Sequence, residues 1–382
     1  MSWPCGAADY VSHLAKNLHQ AGHHVEVITS NPNIKPESWP FKVEVVLGNW
    51  GLGHLFRIAN KIKRQNFDLI DFQYEAGMFG YRGASLLFPF FMYPKKIPLF
   101  LTLHSQDLPR RGGRLWRPLQ VLPYDGLIFY SKQFHDRIFR WFPRRAERFL
   151  VQGFPSNILR PNDPSNQAPL AKIRTGFTHA QFLMTYFGHI SAGRGIEDLL
   201  DVMKTFKVQY PGLHLILMSQ FKPEEDDYQR KLLEWIRLNG MEKKISFTGR
   251  LSNEEVSRFL LASDICVLPF PDGASFKNGS LSAAIEHSLP VLTTVSPLTE
   301  PQLLASGALL TYDPAQKSQL SPLLAHLIDQ PQSLAQLKIK AAAFRDELSW
   351  NKYIENRIHF YNRISLKRVG RTQVPSHVAN PK

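Results

Sequence analysis

Between Val267 and Thr294 the chain reads VLPFPDGASFKNGSLSAAIEHSLPVLTT, which groups Ser275, Lys277, Gly279 and Ser280 within six residues. An apolar run, Cys266-Val267-Leu268, ends at two prolines. A polar loop follows, then a helical pattern from Ser280 to His287, then a second apolar run into Thr293-Thr294. The order strand, loop, helix, strand places a glycine and a serine in the first turn of the helix. A helix start leaves backbone N–H groups without partners and presents the positive end of a dipole. That combination suits a phosphate, and a lysine beside it suits one better. The same residues also fit an ordinary strand–helix–strand connection with a solvated lysine, and the stretch alone leaves both readings open.

A second chemical feature is a basic run interleaved with aromatics. Residues 105–150 hold ten Lys or Arg against four Asp or Glu, part of a balance of +9 over residues 1–165 and of +14 over the whole chain. Arg114, Trp116 and Arg117 are followed by Phe134, Arg137, Phe139, Arg140, Trp141, Phe142, Arg144, Arg145 and Arg148. An anionic membrane surface or a polyphosphate attracts such a face. Nucleic acid would be attracted as well, but no nucleic-acid motif accompanies the charge. A solvated helix face with arginine stems lying over core aromatics accounts for the same pattern.

The elements that must position these residues alternate strand and helix throughout. Val11, Leu14, Ala15, Leu18 and Ala21 recur at helical spacing up to Gly22, and strands are expected over 23–29, 41–47 and 69–72. The apolar run Leu99–Leu103 ends at His104-Ser105, and Gly126–Tyr130 ends at Ser131. Polar residues directly after buried strands lie at carboxyl ends, where open α/β sheets bind ligands. The second half repeats the scheme. A strand over Phe182–Phe187 ends at Gly188, and a helix carries Ile196, Leu199, Leu200, Met203 and Phe206 on one face. Leu213–Met218 is a strand, Tyr228–Leu238 a helix and Ile245–Phe247 a strand. Ser252 and Glu255 have the spacing of a capping box.

Composition bounds the rest. With 43% apolar and 20% charged residues the chain is globular, and its 382 residues suffice for two domains. Its two cysteines, Cys5 and Cys266, exclude a disulfide framework or a cysteine zinc site and favour a reducing compartment. Residues 1–20 lack a secretory pattern. The longest apolar stretch, Leu86–Tyr93, is broken by Pro89 and too short to span a bilayer. The expected location is cytoplasmic, with peripheral attachment to the inner face of the membrane. The expected organisation is an amino-terminal domain over 1–160, a Pro/Asn/Ser-rich linker over 161–176 and a second domain over 177–348. A closing helix over 349–366 and a basic tail over 367–382 complete it.

Taken in order, several segments resemble the glycosyltransferases of the GT-B fold, of the family-4 or group 1 kind. The segments are GAADYVSHLAKNLHQAGHHVEVIT, TLHS at 102–105, YFGHISAGRGIEDLLDVM at 186–203, ISFTGRLSNEEVSRFLLASDICVLP, LPVLTT and SWNKYIENRIHFY. The resemblance covers nearly the whole chain. It implies an α/β fold of two Rossmann-like domains facing a cleft, with the amino-terminal domain on the acceptor side and the second domain on the donor side. The implied reaction moves a sugar from a nucleotide-diphosphate donor to an acceptor hydroxyl, with retention and without a metal or cofactor. The acceptor is a glycan or a lipid-linked molecule. Arg194 takes the place of a phosphate-contacting lysine and His189 that of a second basic residue. Ser275, Lys277, Gly279 and Ser280 complete a donor cradle, Gly6 lets backbone approach the donor, and His104 faces the transferred sugar.

The chain departs from the family pattern twice. Alignment on LPVLTT puts Ser275 and Ala283 where the family carries two glutamates eight positions apart. The family also opens with a central strand before its glycine turn, whereas Met1 here begins at the turn. The expectation is an amino-terminal domain lacking a first strand of about ten residues with its turn. These departures leave room for an alternative, a non-catalytic GT-B-like protein that binds a nucleotide sugar or a glycan.

Overall fold

The computed structural model describes residues 6–79, 83–94, 97–104, 120–131, 135–136, 138, 140, 143–161, 173, 176–177 and 180–372. The chain divides into two compact units, one of Met1–Gly153 with Trp350–Lys382 and one of Phe154–Ser349.

The Phe154–Ser349 unit is built on six strands: β7 (Phe182–Phe187), β8 (Leu213–Met218), β9 (Ile245–Phe247), β10 (Ile265–Leu268), β11 (Val291–Thr294) and β12 (Leu309–Tyr312). They pair in the order β12-β11-β10-β7-β8-β9, and every pairing is parallel. Parallel strands need crossover helices, which cover both faces of the sheet. Accordingly β8, β10 and β11 are buried along their whole length. The helix Ile196–Thr205 buries Ile196, Leu199, Leu200, Val202 and Met203. The Asn253–Ala262 helix opens with both bonds of the capping box between Ser252 and Glu255. The strand order runs outward in opposite directions from β7 and β10. Two crossovers therefore diverge at that point, and the carboxyl ends of strands at such a switch point are where open α/β sheets bind ligands.

In the other unit, β3 (Ile70–Tyr74), β4 (Leu99–Leu103), β5 (Gly126–Phe129) and β6 (Phe149–Val151) form a parallel sheet in chain order. A separate parallel pair joins β1 (Glu26–Thr29) to β2 (Lys42–Val45). Among the described residues no strand bridges β1 and β3. The helix Leu52–Lys63 buries Leu55, Ile58, Ala59 and Ile62 on the face that its apolar spacing dictates. The final helix, Trp350–Thr372, packs on the first, Gly6–Gln20, and its Phe360, Tyr361 and Ile364 join Phe100 of β4 and Ile128 of β5 in one apolar cluster.

Candidate functional site

At the divergence of β7 and β10, the segment after β7 runs Gly188-His189-Ile190-Ser191-Ala192-Gly193-Arg194-Gly195 into the Ile196–Thr205 helix. Gly193 and Gly195 both lie at φ +75°, in the left-handed region that L side chains rarely adopt. A Cβ on Gly195 would fall 2.3 Å from the carbonyl oxygen of Pro269, the residue that follows β10. Glycine is therefore required for the two strand-end segments to touch, and Arg194 is held exposed between the two turns. Tyr186 donates its hydroxyl to the His189 carbonyl at 3.1 Å. Burial pushes the Tyr186 phenol up to about 12, against the opposing pull of the Arg194 charge. The His189 side chain is exposed.

The loop after β10 leads into the Gly279–Glu286 helix, whose N-cap is Asn278. Asparagine is a preferred capping residue, yet the Asn278 side chain does not cap this helix. The Asn278 Oδ1 instead accepts the Ser275 N–H at 2.8 Å. The first-turn amides of the helix are thereby left uncapped, next to the exposed Lys277 and Gly279 and the half-buried Ser280. Ser275 differs from its neighbours: it is buried, and its hydroxyl donates to Glu300 Oε1 at 3.1 Å. It shapes the loop from beneath. An aligned carboxylate is absent at 275, but a carboxylate reaches that residue from the segment after β11.

In the other unit, His104 follows β4 directly, and its N–H donates to the Tyr74 carbonyl at 2.8 Å. Its Nε2 lies 2.9 Å from Gln73 Oε1, and the rings of Tyr10 and Tyr130 each stand 5.0 Å away. Burial lowers its pKa to about 3, and the charge of Arg357 adds to that effect. His104 is therefore a neutral imidazole that donates to Gln73. Beneath it, the fully buried Arg357 of the final helix donates to Asp71 Oδ2 at 2.7 Å, to Tyr361 at 2.7 Å and to Tyr10 at 2.9 Å. Thr102 Oγ1 donates to Asp71 Oδ1 at 2.8 Å. Gly6 is the first residue of the helix that carries Tyr10.

His189, Arg194, Ser275, Lys277, Gly279 and Ser280 thus all belong to the segments after β7 and β10, whereas Gly6 and His104 belong to the other unit. Sequence alone does not single out Gly195, Asn278 or Glu300. Glu300 precedes Pro301 and a five-residue helix, so its local signature is that of a helix start alone. Of the basic-aromatic run, residues 105–119, 132–134, 137, 139, 141 and 142 lie outside the described residues, as does most of the expected linker. Among the described residues no group of three or more His, Cys, Asp or Glu is placed to hold a metal ion, and no helix is long and apolar enough to cross a membrane.

Two family models match the sequence: Glycosyltransferase Family 4 over residues 4–152 and Glycosyl transferases group 1 over residues 181–329. No curated protein matches it. Among solved structures, Anabaena Alr3699/HepE in complex with UDP-glucose is similar at 18% identity, covering 97% of each chain with a TM-score of 0.68. A glycosyltransferase from Rickettsia africae is similar at 13% identity, covering 94% of each chain with a TM-score of 0.73. WaaG, a glycosyltransferase involved in lipopolysaccharide biosynthesis, is similar at 16% identity, covering 92% of this chain and 95% of its own, with a TM-score of 0.62. At these identities the solved structures establish the shared fold, and the two family models between them span most of the sequence. The chain belongs to the group 1 glycosyltransferases and has the GT-B fold of two Rossmann-like domains.

Proposed function

We propose that this enzyme transfers a sugar from a UDP-sugar to an acceptor hydroxyl, with retention of anomeric configuration and without a metal. In this reading the bond between the anomeric carbon and the diphosphate oxygen breaks while the acceptor oxygen bonds to the same face of that carbon. The acceptor's proton passes to the departing diphosphate. Negative charge grows on the diphosphate, so catalysis depends on fixed cations and N–H donors aimed at it. Arg194 and Lys277 supply the cations, and the first-turn amides at Gly279 and Ser280 supply the donors. His189 adds a weaker contact. His104 serves the transferred sugar as a neutral hydrogen-bonding group, and Gly6 gives the donor access to backbone. The observation that carries the reading is the uncapped start of the Gly279–Glu286 helix beside Lys277, at the carboxyl end of a switch-point strand. The binding of UDP-glucose by a protein of similar fold supports UDP as the nucleotide.

Thermal melting with a panel of nucleoside diphosphates tests this, because a ligand that binds only the folded state raises Tm progressively with its concentration relative to Kd. UDP should raise Tm. Arg194→Ala and Lys277→Ala should each weaken UDP about tenfold or more, the scale of a hydrogen bond to a charged group, with little change in the unliganded Tm. A well-folded chain whose Tm answers to no nucleotide would sink the proposal. The acceptor is proposed to be a glycan or a lipid-linked molecule, with residues 105–150 meeting an anionic membrane. Binding to anionic vesicles that fades as salt is raised supports that part; the absence of vesicle binding at low salt refutes it.

A further inference from the structure

Glu300 lies just ahead of the Pro301–Ala305 helix and is only 2% exposed. Its carboxylate does not cap that helix. It reaches across to the loop after β10, where Oε1 accepts the Ser275 hydroxyl and Oε2 accepts the Phe276 N–H, both at 3.1 Å. A buried carboxylate is costly unless donors surround it, so these bonds hold the two loops firmly together. Further bonds reinforce the join. The Ala274 N–H donates to the Thr294 carbonyl at 2.8 Å, and Ser296 Oγ donates to the Asp272 carbonyl at 2.6 Å. Gly273, at φ +82°, lies so close that a Cβ there would stand 2.7 Å from the Ser296 nitrogen.

The consequence reaches the helix start through Ser275. With its hydroxyl committed to Glu300, Ser275 presents its N–H to Asn278 Oδ1 at 2.8 Å and its carbonyl to the Asn278 N–H at 2.9 Å. Asn278 is thereby prevented from capping its own helix. We propose that Glu300 is a positioning residue for the donor diphosphate: acting through Ser275 and Asn278, it keeps the first-turn amides of the Gly279–Glu286 helix open to an anion. This rests on the reading that the loop after β10 binds that diphosphate. It also gives a role to Ser275, which replaces the family glutamate: it relays the pull of a carboxylate carried by another loop. Without the Glu300 carboxylate, Ser275 and Phe276 lose their tether, and Asn278 turns to cap the helix in competition with the ligand.

Calorimetric titration of UDP and of uridine into the full chain and its Glu300→Ala and Glu300→Gln variants tests the proposal. Glutamine keeps an acceptor for Phe276 and a group that can pair with Ser275. Glu300→Ala should weaken UDP about tenfold and leave uridine within about twofold, whereas Glu300→Gln should stay close to the wild type for both. If Glu300→Ala fails to fold, Glu300→Asp, one methylene too short to reach both donors, should show the same selective loss. Parallel weakening of both probes would reduce Glu300 to general support of the fold and overturn the proposal, as would an unchanged UDP affinity. A wild-type chain that binds neither probe would overturn the diphosphate reading itself, and this inference with it.

Discussion

At the scale of single residues, the histidines show how position sets chemistry. His287 donates its Nδ1–H to the Ala283 carbonyl at 2.7 Å and accepts the Ser257 hydroxyl on Nε2 at 2.6 Å. Burial holds its pKa down to about 4, as it holds His104 at about 3. In the unfolded chain both take up a proton near pH 6.5. Below that pH the unfolded state binds protons that the folded state refuses, so stability is intact above pH 6.5 and falls as pH drops. The loss is on the order of 1.4 kcal/mol per pH unit for each histidine until its folded pKa is reached. Urea unfolding between pH 7.5 and 5 should therefore show the midpoint falling below pH 6.5, with a shallower fall in His287→Gln. A midpoint that stays constant to pH 5 would contradict the buried neutral assignment. The place of His104 after an apolar strand is visible in sequence, but its neutrality follows from neighbours remote in the chain.

At the scale of elements, most of the framework could be read before folding. The strands Leu99–Leu103, Phe182–Phe187, Leu213–Met218 and Ile245–Phe247 have the expected bounds because each is an apolar run closed by polar or turn residues. The sequence does not mark β6 and β12. Both are partly exposed edge strands, with no buried residue in β6 and only Tyr312 buried in β12, so neither is set apart as a core run. The helix start at Gly279 was legible, but its capping state was not, because Asn278 reads as an ordinary cap in sequence. The Gly193-Arg194-Gly195 turn yields a sharp test. Gly193→Ala meets open space and carries only the strain of a left-handed conformation, about 1–2 kcal/mol. Gly195→Ala carries the same strain and also collides with the Pro269 backbone. Gly195→Ala should lower Tm further and weaken UDP more than Gly193→Ala does. Equal effects in melting and titration would show that the contact between the strand ends is unimportant.

At the scale of the molecule, each unit draws its integrity from contacts between distant stretches of chain. The Met1–Gly153 unit is completed by the final helix, whose Arg357 meets Asp71, Tyr10 and Thr102 across hundreds of residues. A buried cation pairs well only while its partner remains, and deletion of one member leaves the other uncompensated. Arg357→Met should cost about 3–5 kcal/mol in urea unfolding, expressed in the unit that contains Asp71. An unchanged unfolding curve would mean that Asp71 finds solvent or another donor at little cost. The two units need not unfold together, so fluorescence and circular dichroism should be followed in parallel.

The sequence alone determined that this chain alternates strands and helices, folds as two α/β units of the group 1 glycosyltransferase kind, and carries a glycine-, serine- and lysine-bearing helix start suited to a phosphate. Those features are local: apolar runs, helical spacing, caps and turn residues fall within a few positions of one another. Tertiary structure alone decided that Ser275 faces inward to Glu300, that Asn278 leaves its helix uncapped, that His104 stays neutral, and that Arg357 is buried against Asp71. Each of these depends on which residues are brought together across a parallel sheet, where strand order rather than chain order sets the neighbours.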